Sequence, residues 1–164
     1  YATAHGLDGF SVSSPNFGLA DQVEDPWGGG CITISGPSNR AARQWYARNR
    51  IPVFAYSTMA RGFFSGLVKS DDPQSAKAVM DEPGLKGYAY PENFERLRRC
   101  EILAKEKGMT VPQIAMAWIF NQRDLDVYAL TAPVERAMMR MNVQASEIRL
   151  TDGECRWLDL QIER

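Results

Sequence analysis

The chain has 164 residues, of which 45% are hydrophobic and 24% are charged, and its formal net charge is -1. This length allows one domain with a sizeable core, and the composition is ordinary for a soluble globular protein. A charge so close to zero gives no reason to expect nucleic acid or an anionic membrane surface as a partner. No apolar run approaches the ~20 residues that a membrane-spanning helix needs, so we expect no membrane association.

The cysteines and the histidine restrict the possible chemistry. Cys31, Cys100 and Cys155 are widely spaced and form no metal-ligand pattern. We therefore expect reduced thiols, no metal site and a cytoplasmic protein. His5 is the only histidine, which leaves little basis for a zinc site or a Ser-His-Asp triad.

The first 36 residues contain one predicted strand. The opening YATAHG is typical of the last turn of a helix that ends at Gly6. A domain seldom starts inside an element, and residue 1 is not Met, so we expect a piece of a longer polypeptide. FSVSS at 10–14 alternates apolar and polar residues and predicts a strand, after which Asn16 offers a side-chain amide. Residues 18–36 predict a mobile loop with one brief extended segment, CITIS at 31–35. Trp27 in this loop either faces a substrate or folds back onto the core.

A helix and a second strand follow. Ser38 is a candidate N-cap for a helix over 39–50, whose apolar residues fall at helical spacing. IPVFAY at 51–56 is an unbroken apolar run and predicts a strand buried on both faces, as in a parallel sheet covered by helices. A strand, a helix and a strand in succession are the arrangement of parallel β/α units.

The segment after this second strand is small and polar, with Ser57, Thr58, Arg61 and Gly62. Ligands of α/β folds bind at the carboxyl ends of the strands, so this segment is a candidate binding edge. Arg61 offers a forked, permanent positive charge to a phosphate, and the glycines let backbone amides come close to it. The alternative is a strand followed by an ordinary flexible loop.

The third quarter of the chain predicts a loop and two helices. Residues 67–90 show little periodicity and predict a long functional or mobile loop. A helix is predicted from Pro91 to Gly108, because Pro suits the first turn and Gly suits the end. Thr110 and Gln113 form a capping box that begins the next helix.

The last quarter predicts a strand and two more helices. VYALT at 127–131 is a short apolar strand, and residues 136–145 predict a helix with a Met-rich packing face. Thr151 and Glu154 form a second capping box. The helix that this box begins is expected to turn Cys155, Leu158 and Ile162 inward.

Four segments together resemble one known family. VSSPNF, AYSTMARGFFSG, AKEKGMTVPQIAMAWIFNQ and MNVQAS follow one another at the spacing of the C-terminal half of an aldo-keto reductase. The resemblance implies an α/β fold that is a partial TIM (β/α)8 barrel, with about three parallel strands near residues 10, 52 and 127 as strands six to eight. It also implies that residues 1–164 are the cofactor-binding half of an oxidoreductase. That enzyme would use NADPH to reduce aldehydes and ketones, or NADP to oxidise alcohols.

The resemblance also implies roles for individual residues. Tyr56 would stack on the nicotinamide ring, since a flat apolar ring positions another flat ring without competing hydrogen bonds. Asn16 would bond the carboxamide of the nicotinamide. Asn142 would contact the adenine edge, although a helix-surface amide is the alternative reading. The residues along the pyrophosphate would be Ser57, Met59, Arg61 and Gly62.

Two departures from the family pattern limit these expectations. Where relatives grip the adenosine 2′-phosphate, this chain offers Ala132, Pro133, Met138 and Met141. Arg136 and Arg140 are nearby but out of register, so NAD is a possible cofactor beside NADP. The Asp, Tyr, Lys and His of the family come from the first four strands, and nothing here corresponds to them. No catalytic residue is assigned, and the fragment alone is expected to be inactive.

Other interpretations stay open. The chain is an oxidoreductase half, or a non-catalytic nucleotide-binding or regulatory module that kept the barrel half, or part of an unrelated (β/α)8 phosphate-binding enzyme. In each case three parallel strands would leave both sheet edges unpaired, and such edges invite pairing with another chain. We therefore expect self-association through the open sheet edges, or a longer polypeptide that covers them.

Overall fold

The computed structural model describes all 164 residues and shows an α/β fold with a two-stranded parallel sheet and seven α-helices. Short 3-10 turns lie at Thr3–His5, Pro37–Asn39 and Ala60–Gly62. None of the helices combines the length and apolar character that a membrane span requires. The elements in chain order are α1 Arg40–Asn49, β1 Val53–Ala55, α2 Ser75–Val79, α3 Glu82–Tyr88, α4 Pro91–Lys107, α5 Val111–Phe120, β2 Val127–Ala129, α6 Arg136–Glu147 and α7 Asp152–Leu158.

The sheet pairs β1 with β2 in parallel, with Phe54 opposite Tyr128. The predicted strand at 10–14 is wrong as a full strand: within it only Ser13 forms a bridge, to Val53, and just beyond it Asn16 forms isolated bridges to Tyr56 and Thr33. Pro15 is the physical reason: it has no N–H to donate, which interrupts the hydrogen-bond ladder. The hydroxyl of Ser14 donates instead to the carbonyl of Phe54, at 2.7 Å.

The two faces of the sheet have different environments. Val53 and Ala55 are fully buried, on the side that the helices cover. On the opposite face Phe54 is only half-buried and Tyr128 is 50% exposed, and their rings stack at 5.1 Å between centroids. The prediction of a strand buried on both faces is therefore wrong for the Phe54 face. This face carries apolar side chains that the chain covers only in part.

The core lies between β1, β2 and the helices around α5. Residues 114–119 of α5 are all buried, and α5 packs against α4, α6 and β2. The predicted capping box of Thr110 and Gln113 is confirmed at the start of this helix. An uninterrupted apolar helix of this kind is expected at the centre of a domain.

The ends of α4 and α7 also follow their local signals. Gly108 ends α4 in the left-handed conformation at φ 64°, as predicted. Thr151 and Glu154 form the predicted capping box of α7. α7 stops at Leu158, so Ile162 lies beyond the helix, where it is half-buried.

Three predictions about helices are corrected. Ser38 does not cap α1, because residues 37–39 form a 3-10 turn and the helix begins at Arg40. Residues 67–90 are not a structureless loop: they contain α2 and α3, which are too short to produce a periodic pattern. The methionine face of α6 packs only in part: Met138 and Met139 are 40% and 49% exposed, whereas Met141 is half-buried and its sulfur lies 3.8 Å from the hydroxyl of Thr110, next to α5.

Candidate active site

Tyr56 lies directly after β1, at the carboxyl end of the sheet. Its backbone N–H donates to the carbonyl of Pro15 at 3.2 Å, and its carbonyl accepts from the N–H of Phe17 at 3.3 Å. Its side chain is half-buried, and its hydroxyl lies near the thiol of Cys31. Burial, and then the neighbouring thiol, raise the pKa of Tyr56 to about 12. The ring is therefore neutral at physiological pH and partly open to a flat ligand.

Asn16 is buried at the same edge, at 1% exposure. Its amide nitrogen donates to the phenolic oxygen of Tyr88 at 2.7 Å. Its amide oxygen accepts from the hydroxyls of Thr33 at 3.0 Å and Ser35 at 3.4 Å. The amide oxygen and one of the two N–H groups of Asn16 therefore have protein partners, which leaves one N–H for a cofactor.

Tyr88 is a central residue of this edge that the sequence did not indicate. Besides Asn16, its hydroxyl lies beside Ser57 and 3.4 Å from the side-chain oxygen of Gln22. Burial raises the pKa of Tyr88, while the hydrogen bonds from Asn16 and Ser57 and the charge of Arg61 oppose the rise. Tyr88 is the last residue of α3, inside the stretch that was predicted to be a loop, which is why its role was missed.

The backbone after Tyr56 is strained. Ser57, Ala60, Arg61 and Gly62 have φ of 51°, 48°, 53° and 94°. Non-glycine residues in this left-handed region cost about 1 kcal/mol or more each, and such residues cluster at ligand-binding sites. A contact with another segment stabilises this strained backbone. The hydroxyl of Thr58 donates to the carbonyl of Leu130 at 3.1 Å, next to the end of β2.

Arg61 is not a free cationic fork in this structure. Its Nε donates to Oδ1 of Asp81 at 3.0 Å, and its Nη2 pairs with Oδ2 of the same carboxylate. The bond to Arg61 lowers the pKa of Asp81 to about 2. The guanidinium also lies over the ring of Trp27, 5.1 Å from its centroid. Trp27 is 57% exposed, so the interpretation that it folds back onto the core is wrong.

The remaining candidate residues are more dispersed. Met59 is half-buried between Thr58 and Ala60. Asn142 is half-buried on α6 and shares no hydrogen bond with the residues at the end of β1. Arg136 and Arg140 are exposed on the same helix and form no ion pair. The structure therefore groups Asn16, Tyr56, Ser57 and Arg61 around Tyr88, while Asn142 belongs to a separate element.

Acid–base chemistry at this edge is limited by the pKa values. Burial raises the pKa of Tyr56, Tyr88 and the Cys31 thiol, so all three are neutral near pH 7. The charges close to them are those of Arg61, beside Tyr88, and of the Asp25 carboxylate, whose Oδ2 accepts the N–H of Cys31 at 3.0 Å. The arrangement suits the binding of a flat ring and an anion better than proton transfer by the side chains themselves.

The sequence and the fold are similar to those of characterised proteins. The chain is 26% identical over 106 residues to "Probable aldo-keto reductase 1" of Glycine max, and the aligned region covers 65% of this chain and 30% of that protein. It is also 26% identical over 106 residues to "Aldo-keto reductase yakc [NADP(+)]" of Schizosaccharomyces pombe, and the aligned region covers 64% of this chain and 31% of that protein. The chain therefore spans about a third of the length of these relatives.

A solved structure has a similar fold. The crystal structure of the thermostable aldo-keto reductase Tm1743, in complex with the inhibitor epalrestat, matches with a TM-score of 0.57 and 19% sequence identity. The match covers 94% of this chain and 40% of that one. The model of the Aldo/keto reductase family matches residues 39–161, about three quarters of the chain. The chain belongs to the aldo/keto reductase family.

Proposed function

We propose that this chain is the cofactor-holding C-terminal part of an NADP(H)-dependent oxidoreductase that reduces aldehydes and ketones or oxidises alcohols. One observation carries the proposal: a buried parallel strand ends in the partly exposed ring of Tyr56, and the strained loop after it carries Arg61. Family membership and the NADP(+) in the name of the yeast relative support the same cofactor.

The residues at this edge fit the two halves of a dinucleotide. Tyr56 offers a neutral ring on which the nicotinamide stacks, and the bound cofactor supplies or accepts the hydride. The pyrophosphate lies along Ser57, Met59, Arg61 and Gly62, where Arg61 provides the positive charge. Gly62 has φ 94°, a conformation that favours glycine, so the loop can present its backbone without a side chain in the way.

Asn16 and Asn142 act at the two ends of the cofactor. Asn142 of α6 contacts the adenine edge in this proposal. Asn16 donates one N–H of its amide to Tyr88 at 2.7 Å and in this proposal donates the other to the nicotinamide carboxamide oxygen. The bond to Tyr88 also holds the edge of the site on which Tyr56 and Ser57 lie.

The chain binds the adenosine 2′-phosphate of NADP(H) only weakly in this proposal. A phosphate needs charge-assisted partners, and the start of α6 offers Arg136 and Arg140 beside the exposed Met138 and Met139. Both arginines lack an acidic partner and can turn toward an anion. NAD is accordingly a second possible cofactor.

The chain provides strands six to eight of a (β/α)8 barrel in this proposal. The acid that protonates the carbonyl oxygen comes from other β/α units, so the chain by itself is inactive. The partly covered face with Phe54 and Tyr128, and the open edges of the sheet, meet those units or a second copy of this chain. The substrate is a small carbonyl compound or alcohol.

A second candidate function is a non-catalytic nucleotide-binding module. It is favoured by the neutral state of Tyr56, Tyr88 and Cys31, which leaves the site without an acid or base that titrates near pH 7. This candidate predicts nucleotide binding and no turnover, even when the remaining β/α units are present.

A titration of NADPH fluorescence tests the proposed function. We expect saturable binding by the chain, and loss of at least about tenfold in affinity in Tyr56→Ala and in Arg61→Ala, because each removes a principal contact. Matched controls are Tyr1→Ala, an aromatic ring that is 90% exposed, and Arg48→Ala, an exposed arginine of α1 without an ion pair. Absence of binding to both NADPH and NADH would overturn the proposal.

A further inference from the structure

The guanidinium of Arg61 is held on one edge and on one face. Nε and Nη2 form a forked pair with the carboxylate of Asp81. The ring of Trp27 lies against the flat face of the same group, at 5.1 Å. These two partners come from different loops, 20 residues after and 34 residues before Arg61 in the sequence. A long side chain with one bound edge and one covered face has little remaining rotational freedom.

The side chain of Asp81 is itself held in place by α3. It is the N-cap of α3, and its Oδ1 accepts the N–H of Gly84 at 2.9 Å. A Cβ at Gly84 would lie 2.9 Å from this oxygen and 3.3 Å from the Cβ of Arg61. Gly84 therefore allows α3 to approach the arginine this closely, and the direction of the ion pair is set by the helix.

Trp27 is also anchored, although its ring is exposed. Oδ1 of Asp25 accepts the N–H of Trp27 at 2.8 Å, and Oδ2 accepts the N–H of Cys31 at 3.0 Å. Gly28, Gly29 and Gly30 turn the chain between these two residues at φ of 83°, 136° and 94°. The same turn thus brings Trp27 to Arg61 and the Cys31 sulfur to Tyr56.

One edge of Arg61 stays open. Asp81 bonds Nε and Nη2, and Nη1 has no hydrogen-bond partner in the chain. The side chain of Arg61 is 31% exposed, so part of it is open to solvent. A guanidinium can bond carboxylate on one edge and phosphate on another, because each edge presents its own pair of N–H groups.

We propose that Asp81 and Trp27 are positioning residues that hold the open edge of Arg61 toward a phosphate of the bound nucleotide. This inference rests on the proposed function, since it assigns the arginine to the pyrophosphate. Asp81 could instead compete with the phosphate for Arg61. The geometry favours positioning, because the carboxylate is 48% exposed and lies on the far edge. Water therefore screens its repulsion of the phosphate, and the forked pair already restricts the rotamers that a free arginine would lose on binding.

Asp81→Asn tests the role of the carboxylate. The amide oxygen of Asn still accepts the Gly84 N–H, so α3 keeps its cap, while the forked ion pair is lost. We expect NADPH and inorganic pyrophosphate each to bind about fivefold to tenfold more weakly, and Asp81→Glu to recover part of the loss. Asp71→Asn is the matched control, an exposed aspartate that makes no ion pair. Unchanged or tighter binding in Asp81→Asn would overturn the role of Asp81.

Trp27 is tested by a pair of substitutions. Trp27→Ala removes the ring and is expected to weaken pyrophosphate binding about threefold or more, while Trp27→Phe keeps a stacking face and recovers most of the affinity. Trp45→Ala, at an exposed tryptophan of α1, is the control. Thermal unfolding of each variant shows that the fold is kept. Equal affinities of Trp27→Ala and the wild type would overturn the role of Trp27.

The two ligands separate this inference from the proposed function. If the wild type binds pyrophosphate but not NADPH, the proposed function fails and the pyrophosphate series still decides the roles of Asp81 and Trp27. If it binds both and the variants match the wild type, only the positioning inference fails. If it binds neither ligand, both proposals are overturned.

Discussion

The amide nitrogen of Asn16 lies 2.7 Å from the phenolic oxygen of Tyr88, although 72 positions separate these residues in the chain. The bond joins the segment that pairs with β1 to the last residue of α3. Both residues are buried, at 1% and 2% exposure. One hydrogen bond thus connects the two sides of the candidate site, and the side chains of Ser57 and Gln22 complete its surroundings.

Tyr88→Phe is expected to destabilise the fold. It removes the hydroxyl and leaves the buried amide nitrogen of Asn16 without its acceptor, which costs about 1 to 3 kcal/mol. Urea unfolding monitored by circular dichroism measures the change. Tyr90→Phe is the control, because its hydroxyl bonds Glu24 at the exposed surface and its loss costs less. Equal stabilities of Tyr88→Phe and Tyr90→Phe would contradict the role of the buried bond.

Gly18→Ala is expected to disturb the loop after Tyr56. A Cβ at this position would lie 2.9 Å from the carbonyl oxygen of Thr58, a backbone atom that cannot turn away. Overpacking of this kind costs about 1 to 3 kcal/mol, and the shift of Thr58 should also weaken NADPH binding. Gly153→Ala in α7 is the control, since its Cβ would meet nothing closer than 3.8 Å. A Gly18→Ala variant with unchanged unfolding and binding would refute this expectation.

The stability of the protein is expected to fall in acid through Glu95. The hydrogen bond from Arg98 lowers the pKa of Glu95 to about 2, and the bond from Arg99 acts in the same direction. A carboxylate whose pKa is depressed in the folded state stabilises the fold above its ordinary value of 4.5 and loses this contribution as pH falls toward about 2.

Urea unfolding at several pH values between 5 and 2 measures this effect, and Glu95→Gln should show a shallower decline than the wild type. Glu147→Gln is the control, because this exposed acid of α6 makes no ion pair. Parallel curves for Glu95→Gln and the wild type would show that the Arg98 and Arg99 contacts carry no net stability in solution.

Self-association through the open sheet is expected at micromolar to millimolar concentration. The exposed face carries Phe54 and Tyr128, and the edges of the short sheet have unpaired backbone groups. Tyr128→Lys places a charge on this face and should shift the chain toward the monomer, whereas Val143→Lys on α6 should not. Size-exclusion chromatography with light scattering measures the mass. A wild-type chain that is monomeric throughout this range would contradict the prediction.

The predicted elements agree with the structure where the signal is local. Each capping box needs only two side chains three residues apart, and both boxes form as predicted. The C-terminal end of α4 depends on one residue, Gly108, which has no side chain. The predictions fail where the signal is short or distant: α2 and α3 have five and seven residues, and the strand at 10–14 is interrupted at Pro15.

The residues of the candidate site show the same difference between local and distant signals. The motif AYSTMARG drew attention to Tyr56 and Arg61, because a strand followed by small and cationic residues has a local pattern. Their partners have no such pattern. Tyr88, Asp81 and Trp27 reach the site from segments that the sequence assigned to loops.

The sequence by itself determined the capping boxes of α5 and α7, the end of α4, the α/β class and the candidate binding segment after β1, since each depends on residues that are neighbours along the backbone. Only the tertiary structure decided that Arg61 is held by Asp81 and Trp27, and that Asn16 is bonded to Tyr88. Those contacts depend on how α3 and the glycine turn pack against the end of β1. Packing brings together residues 20 to 72 positions apart, and no periodicity or spacing within one segment encodes such pairs.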